Sequence, residues 1–104
     1  MVIIDKAKKV VTVKGIPVEI TNPQWEILEQ FSSTEGVTVE KIAQRVYGSQ
    51  SDRNVTTTSV IISRIKKIVG DPNFIVKFRG KEYVFHETVE VIEATEASAE
   101  ADQN

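Results

Sequence analysis

Three features of the sequence predict a small α+β domain. β-rich runs crowd the first 20 residues, and apolar side chains recur at helical spacing between Trp25 and Val69. A last pair of β-rich runs brackets Arg79-Gly80-Lys81. The expected order is an N-terminal small antiparallel sheet, three helices and a C-terminal β-hairpin.

Each element has its own local signal. Val2-Ile3-Ile4, Val10-Val11-Thr12-Val13 and Ile16-Pro17-Val18-Glu19-Ile20 read as strands, with Lys14-Gly15 at a hairpin turn and Asp5 to Lys9 as a polar connection. Thr21-Asn22-Pro23-Gln24 is a helix start: Thr21 caps, Gln24 reaches back, and Pro23 sits in the first turn, where its missing N–H costs nothing. Trp25, Leu28 and Phe31 carry that helix to about Phe31. A second helix takes Thr38 as cap, places Val39, Ile42, Ala43, Val46 and Tyr47 on one face, and stops at Gly48. The third and longest runs from about Arg53 to Val69, closed by Gly70-Asp71-Pro72-Asn73. Phe74 to Phe78 and Glu82 to Phe85 then form the hairpin strands. The expected domain is 1–87, followed by an acidic tail, 88–104, that is expected to be disordered; its periodicity is lost after Ile92, and Val89, Val91 and Ile92 can still pack at the edge of the body.

Composition narrows the class. The 104 residues are 40% hydrophobic and 27% charged, with no cysteine, which excludes disulfides and thiolate metal sites. No apolar run reaches the roughly 20 residues of a membrane span, no signal peptide is evident, and a cytoplasmic protein with no membrane partner is expected. The net charge of −2 conceals an asymmetry. All six acids after residue 86 (Glu87, Glu90, Glu93, Glu96, Glu100, Asp102) come without a Lys or Arg, leaving nine acids against 13 bases in residues 1–86. A basic body suits a polyanion.

The third helix carries the strongest functional signal. At about 100° per residue, Thr58, Ile61, Ile62, Ile65, Ile68 and Val69 gather on an inward side. Arg53, Thr56, Val60, Ser63, Arg64 and Lys67 gather opposite, flanked by Thr57 and Lys66. Arg64 can donate two hydrogen bonds to guanine, and Val60 can touch a thymine methyl, which makes these two the expected base contacts. Arg53, Thr56, Thr57, Ser63, Lys66 and Lys67 are the expected backbone contacts. An ordinary solvated face would carry similar residues, and Lys66 and Lys67 also complement the helix dipole. In the hairpin, Ile75, Lys77 and Arg79 alternate on one face, Val76 and Phe78 on the other. Arg79 and Lys81 at the tip can reach a phosphate or a minor groove, although lysines also guard exposed strand edges.

This order of elements is that of a winged helix-turn-helix, and residues 2–85 resemble the C-terminal effector domain of OmpR/PhoB-type response regulators. The resemblance runs through Val10 to Gly15, Val18 to Thr21, Trp25-Glu26-Ile27-Leu28, Val46-Tyr47-Gly48, Ile62-Ser63-Arg64-Ile65-Lys66-Lys67, Arg79-Gly80 and Tyr83-Val84-Phe85. It implies a recognition helix at about 53–69 in the major groove and a wing at 74–86 on the minor groove or backbone. Carried onto matching positions, Thr57, Ser63 and Lys67 touch phosphates, Val60 and Arg64 touch bases, and Lys77, Arg79 and Tyr83 contact the backbone from the wing. Thr56 stands where the family usually has a basic residue, Ser59 where it often has an acid, and Lys81-Glu82 alters the usual wing tip. With the effector domain beginning at Met1, no phosphoacceptor receiver is expected.

The expected function is therefore sequence-specific binding of double-stranded DNA in transcription regulation, with a homodimer on DNA as one arrangement. The competing expectation is an interaction module that docks on RNA polymerase or another partner through the Gly48–Asp52 loop, with weak DNA contact. Catalysis finds little support: His86 is the lone histidine, no acids are paired, no phosphate-cradling glycine loop occurs, and neither metal nor cofactor is expected.

Overall fold

Residues 1–93 are described by a computed structural model. Nine elements follow in the order β1 (Val2–Asp5), β2 (Val10–Val13), β3 (Ile16–Val18), α1 (Asn22–Leu28), α2 (Val39–Tyr47), α3 (Asp52–Val69), β4 (Ile75–Lys77), β5 (Tyr83–Phe85) and β6 (Glu90–Ile92). The strands make two sheets, one ordered β3-β2-β1-β6 and the other the β4–β5 hairpin. The α+β class is as expected.

The first three strands meander antiparallel, with Ile4 opposite Val11 and Val11 opposite Val18. Their alternation sends Val2, Ile4 and Val11 inward, each buried. The β2–β3 turn places both Lys14 and Gly15 at positive φ (53° and 82°), the pattern of a type I′ turn, whose twist matches that of the paired strands.

The fourth strand corrects the expected boundary at residue 87. β6 pairs parallel to β1, Ile4 opposite Val91, and Val89 is buried where the chain enters it. A turn delivers this strand: the backbone N–H of Val89 donates to the His86 carbonyl, and that of Thr88 donates to the His86 ring. The folded body thus includes residues 88–93, with Val89 and Val91 packed at its edge as the sequence allows. The rest of the expected tail, 94–104, lies outside the described residues.

α1 begins as its sequence dictates. The Thr21 hydroxyl accepts from the Gln24 N–H, and the Gln24 carboxamide accepts from the Thr21 N–H, a complete capping box. We expect Thr21→Ala to lower stability by about 1 kcal/mol in urea denaturation. The helix stops at Leu28 rather than at about Phe31, because tighter turns follow: the N–H groups of Gln30 and Phe31 donate to the Ile27 and Leu28 carbonyls. Lys6, read from sequence as part of a polar connection, closes this end. Its Nζ donates to the carbonyls of Glu29 (3.3 Å) and Phe31 (3.0 Å) and pairs with Glu93 at 3.6 Å, joining α1 to the end of β6.

α2 and α3 are capped by the Thr38 and Ser51 hydroxyls and end at Gly48 and Gly70, both left-handed. The core lies between the helices and the four-stranded sheet, with Trp25, Ile27, Leu28, Phe31, Ile42, Ile65, Phe74 and Phe85 all buried. The Trp25 indole N–H donates to the Glu29 carboxylate, leaving its ring free to pack.

Candidate nucleic-acid interface

α3 is 18 residues long, so it extends about 27 Å. Its β-branched start, Val55-Thr56-Thr57-Thr58, has weak helix propensity, and local bonds supply part of what propensity does not. The Asn54 N–H bonds the Ser51 hydroxyl, and the Asn54 side chain bonds the Ser49 carbonyl and hydroxyl. Thr58 is fully buried, its hydroxyl donating to the Asn54 carbonyl at 2.8 Å.

The inward stripe centres on Thr58, Ile65 and Val69, which are buried; Ile61 and Ile62 are half-buried. Ile68, expected inward, lies at the stripe's edge and is 37% exposed. On the opposite side Arg53, Thr56, Thr57, Val60, Ser63, Arg64 and Lys67 are all exposed, as their spacing required. Val60 is 42% exposed within this polar surface, one turn before Arg64 and on the same face. Lys66 differs from the others. It is half-buried and turns toward the hairpin, lining a hollow with Ser59, Ser63 and Tyr83.

The hairpin stands beside this helix. β4 and β5 pair Lys77 with Tyr83 and Ile75 with Phe85, and the turn closes through bonds between Phe78 and Glu82 and between Glu82 and Arg79. Lys77, Arg79 and Lys81 are exposed, as expected for cations at a tip. Tyr83 has a structural role that the sequence did not disclose. Its backbone exchanges two hydrogen bonds with Val37, which adds a bridge to the outer side of β5 and ties the hairpin to the chain entering α2.

Phe78 is the residue sequence reading overlooked. It is 44% exposed, and the Arg79 guanidinium lies 5.1 Å from its ring centroid, a cation–π contact that restrains the tip cation. The ring also packs against Gly36. A Cβ built at Gly36 would fall 2.8 Å from both the Phe78 ring and the Glu82 Cβ, too close for either to accommodate without a shift. Gly36→Ala is therefore expected to displace the hairpin and to cost about 1–3 kcal/mol in chemical denaturation. An unchanged midpoint would mean that the hairpin does not bear on residue 36.

Positive charge predominates in this part of the chain. Between Asp52 and Tyr83 there are seven cations (Arg53, Arg64, Lys66, Lys67, Lys77, Arg79, Lys81) and three acids (Asp52, Asp71, Glu82). Among the described residues the one ion pair is Lys6–Glu93, so none of these seven cations is neutralised by a carboxylate contact. Among the same residues no group of three His, Asp or Glu side chains gathers as metal ligands would, and no helix is long and apolar enough to cross a membrane. No family model matches the chain, and a search of curated proteins finds no match.

Proposed function

We propose that this chain is a winged-helix, sequence-specific DNA-binding protein that regulates transcription without catalysing a reaction. α3 is the recognition helix in the major groove, and the β4–β5 hairpin is the wing on the minor groove or its backbone. The observation that carries this reading is the exposed face of α3: Arg53, Thr56, Thr57, Val60, Ser63, Arg64 and Lys67 are all exposed there, and the helix's single acid, Asp52, stands at its N-terminal end ahead of every cation. A major groove about 12 Å wide admits one helix, and its phosphate walls attract such a face.

The division of labour follows from side-chain chemistry. Val60 and Arg64, adjacent on the outermost line of the helix, meet bases. Thr56, Thr57 and Arg53 near the helix N-terminus, and Ser63, Lys66 and Lys67 further on, meet phosphates. Lys77, Arg79, Lys81 and Tyr83 hold the flanking backbone from the hairpin. The resemblance to OmpR/PhoB-type effector domains supports the same arrangement.

The test is selection from a random duplex library at near-physiological salt. An enriched motif is the expected result, and repeated or inverted half-sites within it would indicate a dimer on DNA. Binding without enrichment that vanishes as salt rises would refute sequence-specific recognition and favour docking on RNA polymerase or another protein partner.

A further inference from the structure

We propose that the hollow between α3 and the β4–β5 hairpin binds a small single-ring aromatic carboxylate. The hollow holds about 180 Å³ and is partly open to solvent. For comparison, an apolar cavity of about 150 Å³ accepts benzene. Its lining is mixed: Phe31, Val39, Ile62 and Ile75 supply the apolar part, two of them core residues with 1% and 3% exposure (Phe31 and Ile75), and Ser59, Ser63, Lys66 and Tyr83 supply the polar part. A ring entering here meets side chains already fixed by the core, so little order has to be created on binding.

The rim selects the charge. Lys66 lines the same hollow, half-buried and without an ion-pair partner among the described residues, and Ser63 adds a hydroxyl. An adjoining hollow of about 210 Å³ shares Val39, Ser59 and Tyr83 with the first and is itself lined by Lys77 and Lys81, against the single carboxylate of Glu40. Apolar side chains on one part of the lining and the Lys66 ammonium on another fit a molecule with a ring at one end and a carboxylate at the other. A neutral ring would leave the Lys66 ammonium as it is, and a dianion such as free phosphate would gain nothing from the Phe31 and Ile75 walls.

Binding itself is read without DNA, by methyl NMR of the full chain titrated with sodium benzoate and, separately, with benzyl alcohol. Saturable shifts confined to Val39, Ile62 and Ile75 are expected, with benzyl alcohol about tenfold weaker because it cannot pair with Lys66. Lys66→Met should abolish the difference between the two probes. Ser59→Leu, which fills the hollow from an exposed helical position, should abolish both titrations and serves as the control if the Lys66 variant folds poorly. Shifts that never saturate, that spread over the surface, or that persist in Ser59→Leu would overturn the proposal. A consequence that also rests on the DNA-binding reading is that benzoate lowers DNA affinity, because its carboxylate occupies Lys66. Should the chain not bind DNA, the NMR titration still decides the pocket.

Discussion

Phe85→Ala is expected to cost the domain about 3–5 kcal/mol, the range for truncating a buried aromatic. Phe85 is 2% exposed and sits between Phe31 (ring centroids 5.9 Å apart, tilted) and Phe74 (6.3 Å, stacked). Three elements meet there: the turn after α1 through Phe31, the entry to β4 through Phe74, and β5 through Phe85 itself. The Phe85 N–H also donates to the Ser32 carbonyl, so the strand is fixed to that turn by backbone as well as by packing. Alanine would leave a cavity that two other phenylalanines cannot fill without abandoning their own contacts. For a domain of this size the loss amounts to a fall in melting temperature of more than about 12 °C. Phe78→Ala, on the exposed side of the same hairpin, should cost about 1 kcal/mol or less. If calorimetry shows the two substitutions to be equivalent, the hairpin is not part of the cooperative core, and a rigid basic tip beside α3 loses its support.

Elements whose signals are local were legible in the sequence. The capping box at Thr21 and Gln24, the glycine stops at Gly48 and Gly70, and the bounds of α3 depend on residues within a turn of each other, and the structure has them within about one position of the expectation. The polar face of α3 was equally legible, because helical geometry alone decides which of its residues point away from Ile65. Features that depend on remote partners were not. β6 is three residues that begin with Glu90 and are followed by Glu93, and it becomes a strand because β1 offers it an edge to pair with. Lys6 looked like connector polarity until the carbonyls of Glu29 and Phe31 stood within reach of its ammonium. Alternation gives Phe78 a face and the family resemblance gives Tyr83 a wing position, yet the close approach of Gly36 and the bridge to Val37 decide how each is held. Alternation names the face of a residue, and only tertiary packing says what lies opposite it.

Arg64→Ala and Lys67→Ala should separate base reading from phosphate binding on one helix face. Both side chains are exposed and lie three residues apart, so neither substitution creates a cavity, and each removes one cation. If Arg64 donates a bidentate pair to guanine, its loss should relax preference at one position of the site by about 1–3 kcal/mol, or about 5- to 150-fold, while affinity for unrelated duplexes falls far less. If Lys67 meets a phosphate, its loss should weaken every duplex by a similar factor and reduce the slope of log affinity against log salt by about 0.9, the release of one contact's counterions. Competition binding to the selected site and to its single-base variants, at two or more salt concentrations, measures both quantities. The contrast between the variants is the informative part, because a generic basic surface predicts the same behaviour for both: a uniform loss, a shallower salt slope and no change in preference. That pattern for Arg64→Ala would place its guanidinium on the backbone and leave Val60 alone to account for base selection. One methyl contact could not sustain selection of a defined site, and the recognition-helix assignment would fall with it.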